Sequence, residues 1–364
     1  MRRPSRREGN GLGGMLDRPM LPRALVALLC ASGGAAFAQC APASAGTTSL
    51  CAPVGPAADT RVMGQRTSGI QFVHSLDERW GGGDASRAVA PGDSGGAGTQ
   101  PLTLRVAGQG IGTAVGNGAL QTDTRTGTAR FGGDTSQWSL FSGTGKLHLG
   151  TMAGYDGNRS DPGTPGGGSA GLYGTWYQDD RSRLGWYTDV YGQFAWLDNN
   201  NDAPWVNRSN YASNAGMASA EAGYSLQLGD TSPWTVRPQG QLIYLRSNNY
   251  NLADTDFTTI DGMRRNGWMS RLGVRVQPPG FQTWGLKMRP YAALNWWHDE
   301  LNSEVIAPQY TTTSALAPSN RYELKTGLNV DVAPGMAAWG DLGLQWGQQS
   351  YQAWTLRAGM RYAW

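Results

Sequence analysis

One segment of the chain carries the sequence motif of a serine nucleophile. Gly92-Asp93-Ser94-Gly95-Gly96 matches the motif around the catalytic serine of one class of hydrolases. That chemistry also needs a histidine base and an aspartate that orients it. The chain has three histidines, His74, His148 and His298, and the sequence around His74 does not resemble a segment that carries such a base. Because GDSGG arises easily in a Gly/Ser-rich stretch, we predict no catalytic residues and no enzyme.

Residues that could bind a metal or a cofactor are also too scattered to form a site. The three histidines and the cysteines show no ligand spacing, and the glycines of Gly108–Gly112 lack the third position of a dinucleotide-binding loop. We therefore predict no metal and no cofactor. Cys40 and Cys51 close a short loop rich in Pro, Ala and Ser. They form either a disulfide or a pair of free thiols.

Charged and apolar residues alternate in much of the chain. Leu272, Val274 and Val276 alternate with Arg271 and Arg275, for example. Successive side chains of a strand point to opposite faces, and an outer-membrane barrel places apolar residues toward lipid and polar residues toward its lumen. The inward face would carry Arg105, Arg130, Asp189, Glu221, Arg237, Arg271, Arg275, Arg289, Glu323, Lys325, Asp331, Asp341, Arg357 and Arg361. These side chains either pair with one another and with a helix, or solvate a water-filled interior.

The last eleven residues show the same alternation and end on an aromatic residue. Thr355, Arg357, Gly359, Arg361 and Ala363 would face the lumen. The apolar face, directed at lipid, comprises Trp354, Leu356, Ala358, Met360, Tyr362 and Trp364. The signal that the barrel-assembly machinery reads would consist of Trp354, Leu356, Met360, Tyr362 and Trp364.

About twelve segments have this strand pattern and a length that would span a membrane. They are Leu102–Ile111, Thr124–Gln137, Lys146–Tyr155, Ala170–Tyr177, Leu184–Leu197, Met217–Leu228, Thr235–Arg246, Asn266–Gln277, Met288–Trp297, Tyr322–Val332, Ala337–Gly347 and Tyr351–Trp364. The predicted outer loops are Gly112–Asp123, Asp156–Ser169, Asp198–Gly216, Ser247–Arg265, His298–Arg321 and Gln348–Ser350. The predicted inner turns, mostly shorter, are Phe141–Gly145, Gln178–Arg183, Gly229–Trp234, Pro278–Lys287 and Pro334-Gly335. The fold class is thus an all-β, antiparallel, transmembrane barrel.

The residues before these strands divide into four parts. Residues 1–38 have the basic lead, apolar core and Ala36-Phe37-Ala38 site of a signal peptide, with either Met1 or Met20 as the start. Residues 39–65 are a short segment without periodicity. Residues 66–83 have helical spacing from Thr67 to Trp80, with Thr67 or Ser68 as the cap and three glycines as the stop. Residues 84–101 form a Gly/Ser linker, and residues 102–364 form the barrel.

The charge of the chain argues against a nucleic-acid partner. Residues 1–38 hold six Arg and two acidic residues, which leaves 24 basic and 25 acidic residues from Gln39 onward. The net positive charge therefore belongs to the signal peptide. Export by this signal would involve the Sec translocon and periplasmic chaperones. The expected surroundings of a monomeric barrel are outer-membrane lipid and lipopolysaccharide.

Several segments together resemble the translocator barrel of classical monomeric, pertactin-like autotransporters. They are Ser75-Leu76-Asp77-Glu78-Arg79-Trp80-Gly81, Leu104-Arg105-Val106-Ala107-Gly108, Leu147-His148-Leu149-Gly150-Thr151-Met152-Ala153-Gly154-Tyr155, Gly174-Thr175-Trp176-Tyr177, Glu221-Ala222-Gly223-Tyr224, Arg271-Leu272-Gly273 and Arg361-Tyr362-Ala363-Trp364. The resemblance covers roughly residues 66–364. It implies a twelve-stranded barrel plugged by a helix and export of an amino-terminal passenger to the cell surface. Asp77, Glu78 and Arg79 of that helix would supply partners for the lumen charges.

The chain departs from this family in one respect. Only about Gln39 to Gln65 lies between the signal peptide and the helix, whereas family members usually carry a passenger of hundreds of residues. Either the passenger is vestigial or the sequence is a fragment of a longer gene. Two other functions remain as alternatives: a pore for small solutes, and a surface adhesin that acts through its outer loops.

Overall fold

The computed structural model describes the barrel and a short helix that precedes it. The described residues are 75–80, 103–116, 121–140, 144–158, 166–201, 209–229, 233–249, 252–253, 259–260, 262–300, 302–306, 319–348 and 351–363. The predicted signal peptide, the segment 39–65 with Cys40 and Cys51, the linker 84–101 with the GDSGG motif, and Trp364 lie outside these residues.

Helix α1 spans Leu76–Trp80 and precedes a series of strands. The strands are β1 (Thr103–Gly116), β2 (Gln121–Ser139), β3 (Lys146–Asn158), β4 (Gly166–Tyr177), β5 (Gly185–Asn201), β6 (Ser209–Leu228), β7 (Trp234–Asn249), β8 (Leu252–Ala253), β9 (Thr259–Ile260), β10 (Gly262–Gln277), β11 (Phe281–Thr283), β12 (Leu286–Asp299), β13 (Asn302–Ile306), β14 (Asn320–Ala333), β15 (Met336–Gly347) and β16 (Gln352–Ala363). Within the described residues, no helix is both long and apolar enough to cross a membrane.

Twelve of these strands close into an antiparallel barrel. Strands β1 to β7 pair in sequence order, β10 and β12 follow β7, and β14, β15 and β16 complete the ring. Strand β16 pairs with β1 from Thr103↔Ala363 to Ala114↔Gln352, which closes the sheet without a free edge. The predicted twelve-stranded barrel is confirmed. Strands β8, β9, β11 and β13 are short additions at the ends of the barrel wall.

The two faces of each barrel strand differ in polarity as the alternation predicts. In β16 the side chains of Trp354, Leu356, Met360 and Tyr362 are exposed on the outside, while Arg357 and Arg361 are buried within the barrel. Exposed tryptophans also lie near strand ends, where an aromatic girdle would contact the membrane interface; these are Trp186, Trp196, Trp234, Trp268, Trp296 and Trp346. An outer surface of apolar side chains is what a lipid environment requires.

Several strands extend further than the hydrophobic pattern predicted. We use "inner end" for the end of the barrel at which β1 begins and β16 finishes. At the opposite, outer end, β1 and β2 pair as far as Gly116↔Gln121, and β5 and β6 as far as Asn201↔Ser209. The predicted loop boundaries Gly112–Asp123 and Asp198–Gly216 are therefore wrong. Apolar alternation stops where lipid stops, but backbone pairing between polar strands does not.

Glycines make room for large aromatic side chains inside the barrel. Gly150 pairs with Tyr173, and Gly327 pairs with Tyr291 on another pair of strands. A Cβ atom at either glycine would lie 2.3 Å from the ring of the facing tyrosine. Each ring can occupy its position only because the facing residue has no side chain.

The topology makes a prediction about accessibility from outside the cell. An epitope tag at Asn207, between β5 and β6, should be labelled by antibody on intact cells. A tag between Asp230 and Thr231, in the connection of β6 to β7, should be labelled only after the outer membrane is permeabilised. The second position is preferable to Pro334-Gly335, where Gly335 has a φ of 78° and a Cβ would lie 2.6 Å from the Ala363 carbonyl oxygen. The opposite labelling pattern would reverse the assigned orientation.

Candidate functional site: a charged helix inside the barrel

Helix α1 starts with a capping box. The Glu78 backbone N–H donates to Ser75 Oγ at 3.2 Å, and the Ser75 backbone N–H donates to Glu78 Oε2 at 2.9 Å. This reciprocal pair satisfies two backbone donors at the start of a helix. Ser75 itself is not helical, so the predicted cap at Thr67 or Ser68 is not the cap of this helix. Residues 67–74 lie outside the described part of the chain.

Two carboxylates of α1 contact basic residues on one side of the barrel wall. Asp77 Oδ2 accepts a hydrogen bond from Arg237 of β7 and lies 2.9 Å from Arg275 Nη1 of β10. Glu78 Oε1 accepts a hydrogen bond from Lys325 of β14 and lies 2.8 Å from Arg357 Nη1 of β16. All of these side chains are buried. Two negative charges on one short helix therefore face four positive charges from four different strands.

Arg79 points toward the opposite side of the wall. Its Nη2 lies 2.5 Å from Asp189 Oδ1 of β5, and both side chains are fully inaccessible to solvent. The guanidinium carbon lies 4.7 Å from the ring centres of both Tyr173 and Tyr191. Arginine stacks well on aromatic faces while its N–H groups bind a carboxylate. The single basic residue of the helix thus meets the acidic and aromatic part of the lumen.

Glu221 of β6 links the helix backbone to the wall. Its Oε2 accepts a hydrogen bond from the Leu76 backbone N–H at 3.0 Å and lies 3.0 Å from Arg271 Nη2. Its Oε1 accepts a hydrogen bond from the Tyr187 hydroxyl at 2.7 Å. The carboxylate satisfies a backbone donor at the first turn of α1, where no intrahelical acceptor exists. This contact fixes the depth of the helix in the barrel.

The charges of the helix and the wall are complementary in position. Removing one partner from a buried ion pair costs about 3–5 kcal/mol, because the remaining charge stays in a poorly solvated site. Asp77, Glu78 and Arg79 each have a wall partner of opposite sign. A helix that moved along the barrel axis, or turned about its own axis, would separate all three at once. The arrangement therefore favours one position of the helix.

A second charged group lies nearer the inner end. Asp134 of β2 lies 2.8 Å from Arg105 and accepts a hydrogen bond from the Tyr173 hydroxyl at 2.6 Å. His148 lies between it and Asp180, at 3.5 Å and 2.7 Å respectively. Asp134 was not among the predicted lumen residues, although it lies on the same face of β2 as Arg130. A bulge between Asp134 and Ser136 changes the register immediately after it.

Asp180 lies in the turn between β4 and β5, and its carboxylate also approaches Arg183 Nη1 at 3.0 Å. Burial alone would raise the pKa of Asp180, but the hydrogen bond with His148 and the charge of Arg183 outweigh it, so the pKa is lowered. The carboxylate is therefore ionised at neutral pH and holds the turn against the end of β3. This connection was predicted only as an inner turn, Gln178–Arg183.

The remaining predicted lumen residues also lie inside the barrel wall. Arg289 makes two hydrogen bonds of 2.7 Å to Asp331, and Arg130 donates to Gln109 at 3.4 Å. Glu323 accepts from Asn295 at 2.8 Å, and Asp341 lies 3.4 Å from Arg357. Arg361 is buried near Arg105 and Arg183. Of the predicted plug contacts, Arg237, Arg271, Arg275, Glu221 and Arg357 surround α1.

Several groups important for this arrangement were missed from the sequence. Among the described residues six tyrosines are buried, Tyr173, Tyr177, Tyr187, Tyr191, Tyr291 and Tyr351. Aromatic residues of a barrel were expected mainly at the lipid interface. The strand alternation could have assigned them to the lumen. Leu172 and Trp176, for example, occupy even positions that face outward, so Tyr173 at an odd position faces inward. In the described part of the chain no cluster of His, Cys, Asp and Glu could hold a metal ion.

Comparison with known protein families gives one match that covers most of the barrel. A family described as "Autotransporter beta-domain" matches residues 103–343. Two proteins of Escherichia coli strain K12 are similar in sequence. The uncharacterized protein YdeU is 30% identical over 280 residues, which cover 68% of this chain and 58% of that protein. The uncharacterized protein YuaQ is 29% identical over 281 residues, which cover 68% of this chain and 19% of that protein.

The fold is also similar to a solved structure. The transport unit of the autotransporter AIDA-I from Escherichia coli superposes with a TM-score of 0.64 and 18% identity, covering 85% of this chain and 98% of that one. At this identity the likeness concerns the fold. The present chain thus spans about a fifth of YuaQ and somewhat more than half of YdeU, but nearly all of the AIDA-I transport unit.

Proposed function

Because this chain belongs to the autotransporter β-domain family and is therefore an integral outer-membrane barrel, we propose that it is a translocator of type V secretion. The barrel inserts into the outer membrane and supports export of an amino-terminal segment to the cell surface. The exported segment is the part of the protein that precedes α1, and its activity at the cell surface would depend on that part.

The position of α1 is the observation that carries this proposal. The helix precedes β1 in the chain and is held inside the barrel by buried contacts to Asp189, Arg275 and Arg357. Residue 75 lies in the lumen, and β1 starts at the inner end of the barrel. This arrangement allows the residues that precede residue 75 to leave the barrel on its outer side. This is the arrangement expected after a passenger has passed through a barrel and its last segment has stayed behind.

The proposed partners follow from the route to the outer membrane. Residues 1–38 would direct the chain to the Sec translocon, and periplasmic chaperones would keep it unfolded until it reaches the barrel-assembly machinery. That machinery would read the apolar face of β16. Outer-membrane lipid and lipopolysaccharide would then contact the exposed outer side chains. We propose a monomeric barrel, because β1 and β16 of the same chain pair along their length.

The pore alternative is less well supported by the geometry. A channel for small solutes needs an open lumen, whereas α1 and inward rings such as Tyr173, Tyr191 and Tyr291 occupy it. The adhesin alternative concerns the outer connections, several of which lie outside the described residues. It is compatible with a translocator, since loops and passenger can both be exposed.

An accessibility experiment tests the translocator function. An epitope tag placed between Gly46 and Thr47 should be labelled on intact cells, about as strongly as the tag at Asn207. It should also be removed by added protease without loss of the barrel. The tag between Asp230 and Thr231 serves as the matched internal control. A Gly46 tag that is reached only in permeabilised cells, in a barrel that is correctly inserted, would contradict export of the amino-terminal segment.

A further inference from the structure

A basic pocket lies at the inner end of the barrel, below the helix. It has a volume of about 400 Å³ and is lined by the ends of β6, β7, β10 and β12 and by the turn before β5. Five of its lining residues are basic, and among its lining residues in the described part of the chain none is acidic. We call this set the basic pocket: Arg183, Arg237, Arg275, Lys287 and Arg289.

The carboxylates around the basic pocket do not balance its positive charge. Arg237 and Arg275 share the single carboxylate of Asp77. Arg289 pairs with Asp331, and Arg183 with Asp180. Within the described residues, the ion pairs that these five cations form thus involve three carboxylates, Asp77, Asp180 and Asp331. A further buried cation, Arg361, lies close to Arg183 and has two side-chain nitrogens without a hydrogen-bond partner.

Some donors of the basic pocket remain available. The Nε atoms of Arg183 and Arg237 are buried and have no hydrogen-bond partner. A buried donor without a partner costs about 1–3 kcal/mol, and a guanidinium group presents its donors in a planar fork that fits phosphate. Lys287 is exposed at the rim, where it adds a mobile positive charge. Pockets of this volume are within the range that holds small ligands.

From these observations we propose that the basic pocket binds a phosphate-bearing anion at the inner end of the barrel. The net positive charge and the free N–H groups identify the chemistry as that of a phosphate or diphosphate group. Such a group can come from a soluble phosphate compound or from the headgroup of an anionic phospholipid. Both present the same oxygen acceptors to the same side chains.

The first arm of the test measures binding of inorganic diphosphate to the full barrel in an uncharged detergent, by calorimetry at low ionic strength. Diphosphate should bind, and Lys287→Gln should weaken binding about two- to fivefold, as for an exposed charge contact. Lys287→Gln combined with Arg289→Gln should weaken it by at least about tenfold more, because Arg289 is buried. Lys146→Gln changes a half-buried lysine at the same end but outside the basic pocket, and should leave binding unchanged.

Heat-modifiable mobility on gels establishes that each variant is folded. If the double variant does not fold, the diphosphate affinity of the single Lys287→Gln variant tests the proposal. The proposal is overturned if diphosphate does not bind the wild-type barrel. It is equally overturned if Lys287→Gln binds as tightly as Lys146→Gln.

A second arm identifies the source of the phosphate group. Barrels are extracted from nanodiscs that contain phosphatidylcholine with or without phosphatidylglycerol, and retained lipid is measured by native mass spectrometry. Phosphatidylglycerol retained by the wild type and lost from the double variant assigns the pocket to a lipid headgroup. Diphosphate binding without retained lipid assigns it to a soluble phosphate compound.

Discussion

Replacing Asp77 with Asn and Glu78 with Gln in one variant should release α1 from its position and raise the ion conductance of the barrel. Four wall cations, Arg237, Arg275, Lys325 and Arg357, would lose their carboxylate partners on the helix. Removing one partner of a buried pair costs about 3–5 kcal/mol. A loss of about 1.4 kcal/mol in docking free energy already changes the ratio of closed to open barrels about tenfold.

The double substitution changes charge but preserves the ability to form the helix. Glutamine at position 78 can still bond the Ser75 backbone N–H, as it does in other capping boxes. An increase in conductance would therefore report loss of the ion pairs and not loss of the helix. Glu300→Gln is the matched control, because Glu300 is an exposed acid whose side chain is 67% accessible, outside the strands at the outer end. It should conduct like the wild type in planar bilayers.

Deleting residues 61–83 should open the lumen further, since it removes α1 and leaves all twelve barrel strands. The predicted inward set holds nine basic and five acidic residues, so the opened pore should prefer anions. This preference should weaken as salt rises, because the screening length falls to about 3 Å near 1 M. If the intact barrel already conducts as much as the deletion, α1 does not close the pore.

Strand number and strand faces were predictable because one physical rule governs them. In β10, for example, one face contacts lipid and the other carries charged groups, so apolar and charged residues alternate along the strand. This alternation can be recognised even when the ends of the strand are not known. The same rule assigned Arg271 and Arg275 to the lumen, and both are buried there. The terminal strand β16 was equally well determined, from Trp354 to Tyr362.

Strand ends were less predictable, since the hydrophobic pattern reports lipid contact and not backbone pairing. Beyond Asn199 in β5 the residues are polar on both faces, yet the ladder continues to Asn201. The short strand β11 lies within the predicted turn Pro278–Lys287 and pairs with β12 over three residues, which is too short for a periodic pattern. Local pairing of polar segments leaves no periodic signal in the sequence.

The individual pairings between α1 and the wall could not be derived from the sequence. Alternation places Asp189 and Arg237 on the inward face but does not say which of them meets Arg79. That choice depends on how deeply the helix sits, which the contact of Glu221 with the Leu76 backbone determines. Aromatic residues posed a similar problem, because tyrosine suits both a membrane interface and the stacking position beside Arg79.

Removing the last four residues, Arg361–Trp364, should almost abolish the folded barrel. The closing seam would lose three register pairs with β1, Thr103↔Ala363, Leu104↔Tyr362 and Arg105↔Arg361. The pairing of β16 with β15 at Tyr362 and Arg361 would be lost as well. At about 1 kcal/mol for each net hydrogen bond, this loss is comparable with the total stability of a domain, about 5–15 kcal/mol. Heat-modifiable barrel should fall sharply, and the unfolded chain should be degraded in the periplasm.

A point substitution separates recognition of the terminus from loss of pairing. Trp364→Ala leaves the ladder from Thr103↔Ala363 onward intact, so any fall in folded barrel would come from the terminal aromatic itself. Trp346→Ala is the matched control, because Trp346 is a tryptophan on the outer face of β15 with 44% exposure. Both variants replace a tryptophan with an alanine. A fall in assembly rate for Trp364→Ala alone would therefore assign the terminal residue to the assembly signal. Equal yields for both variants would show that the assembly machinery reads the rest of β16, from Trp354 to Tyr362.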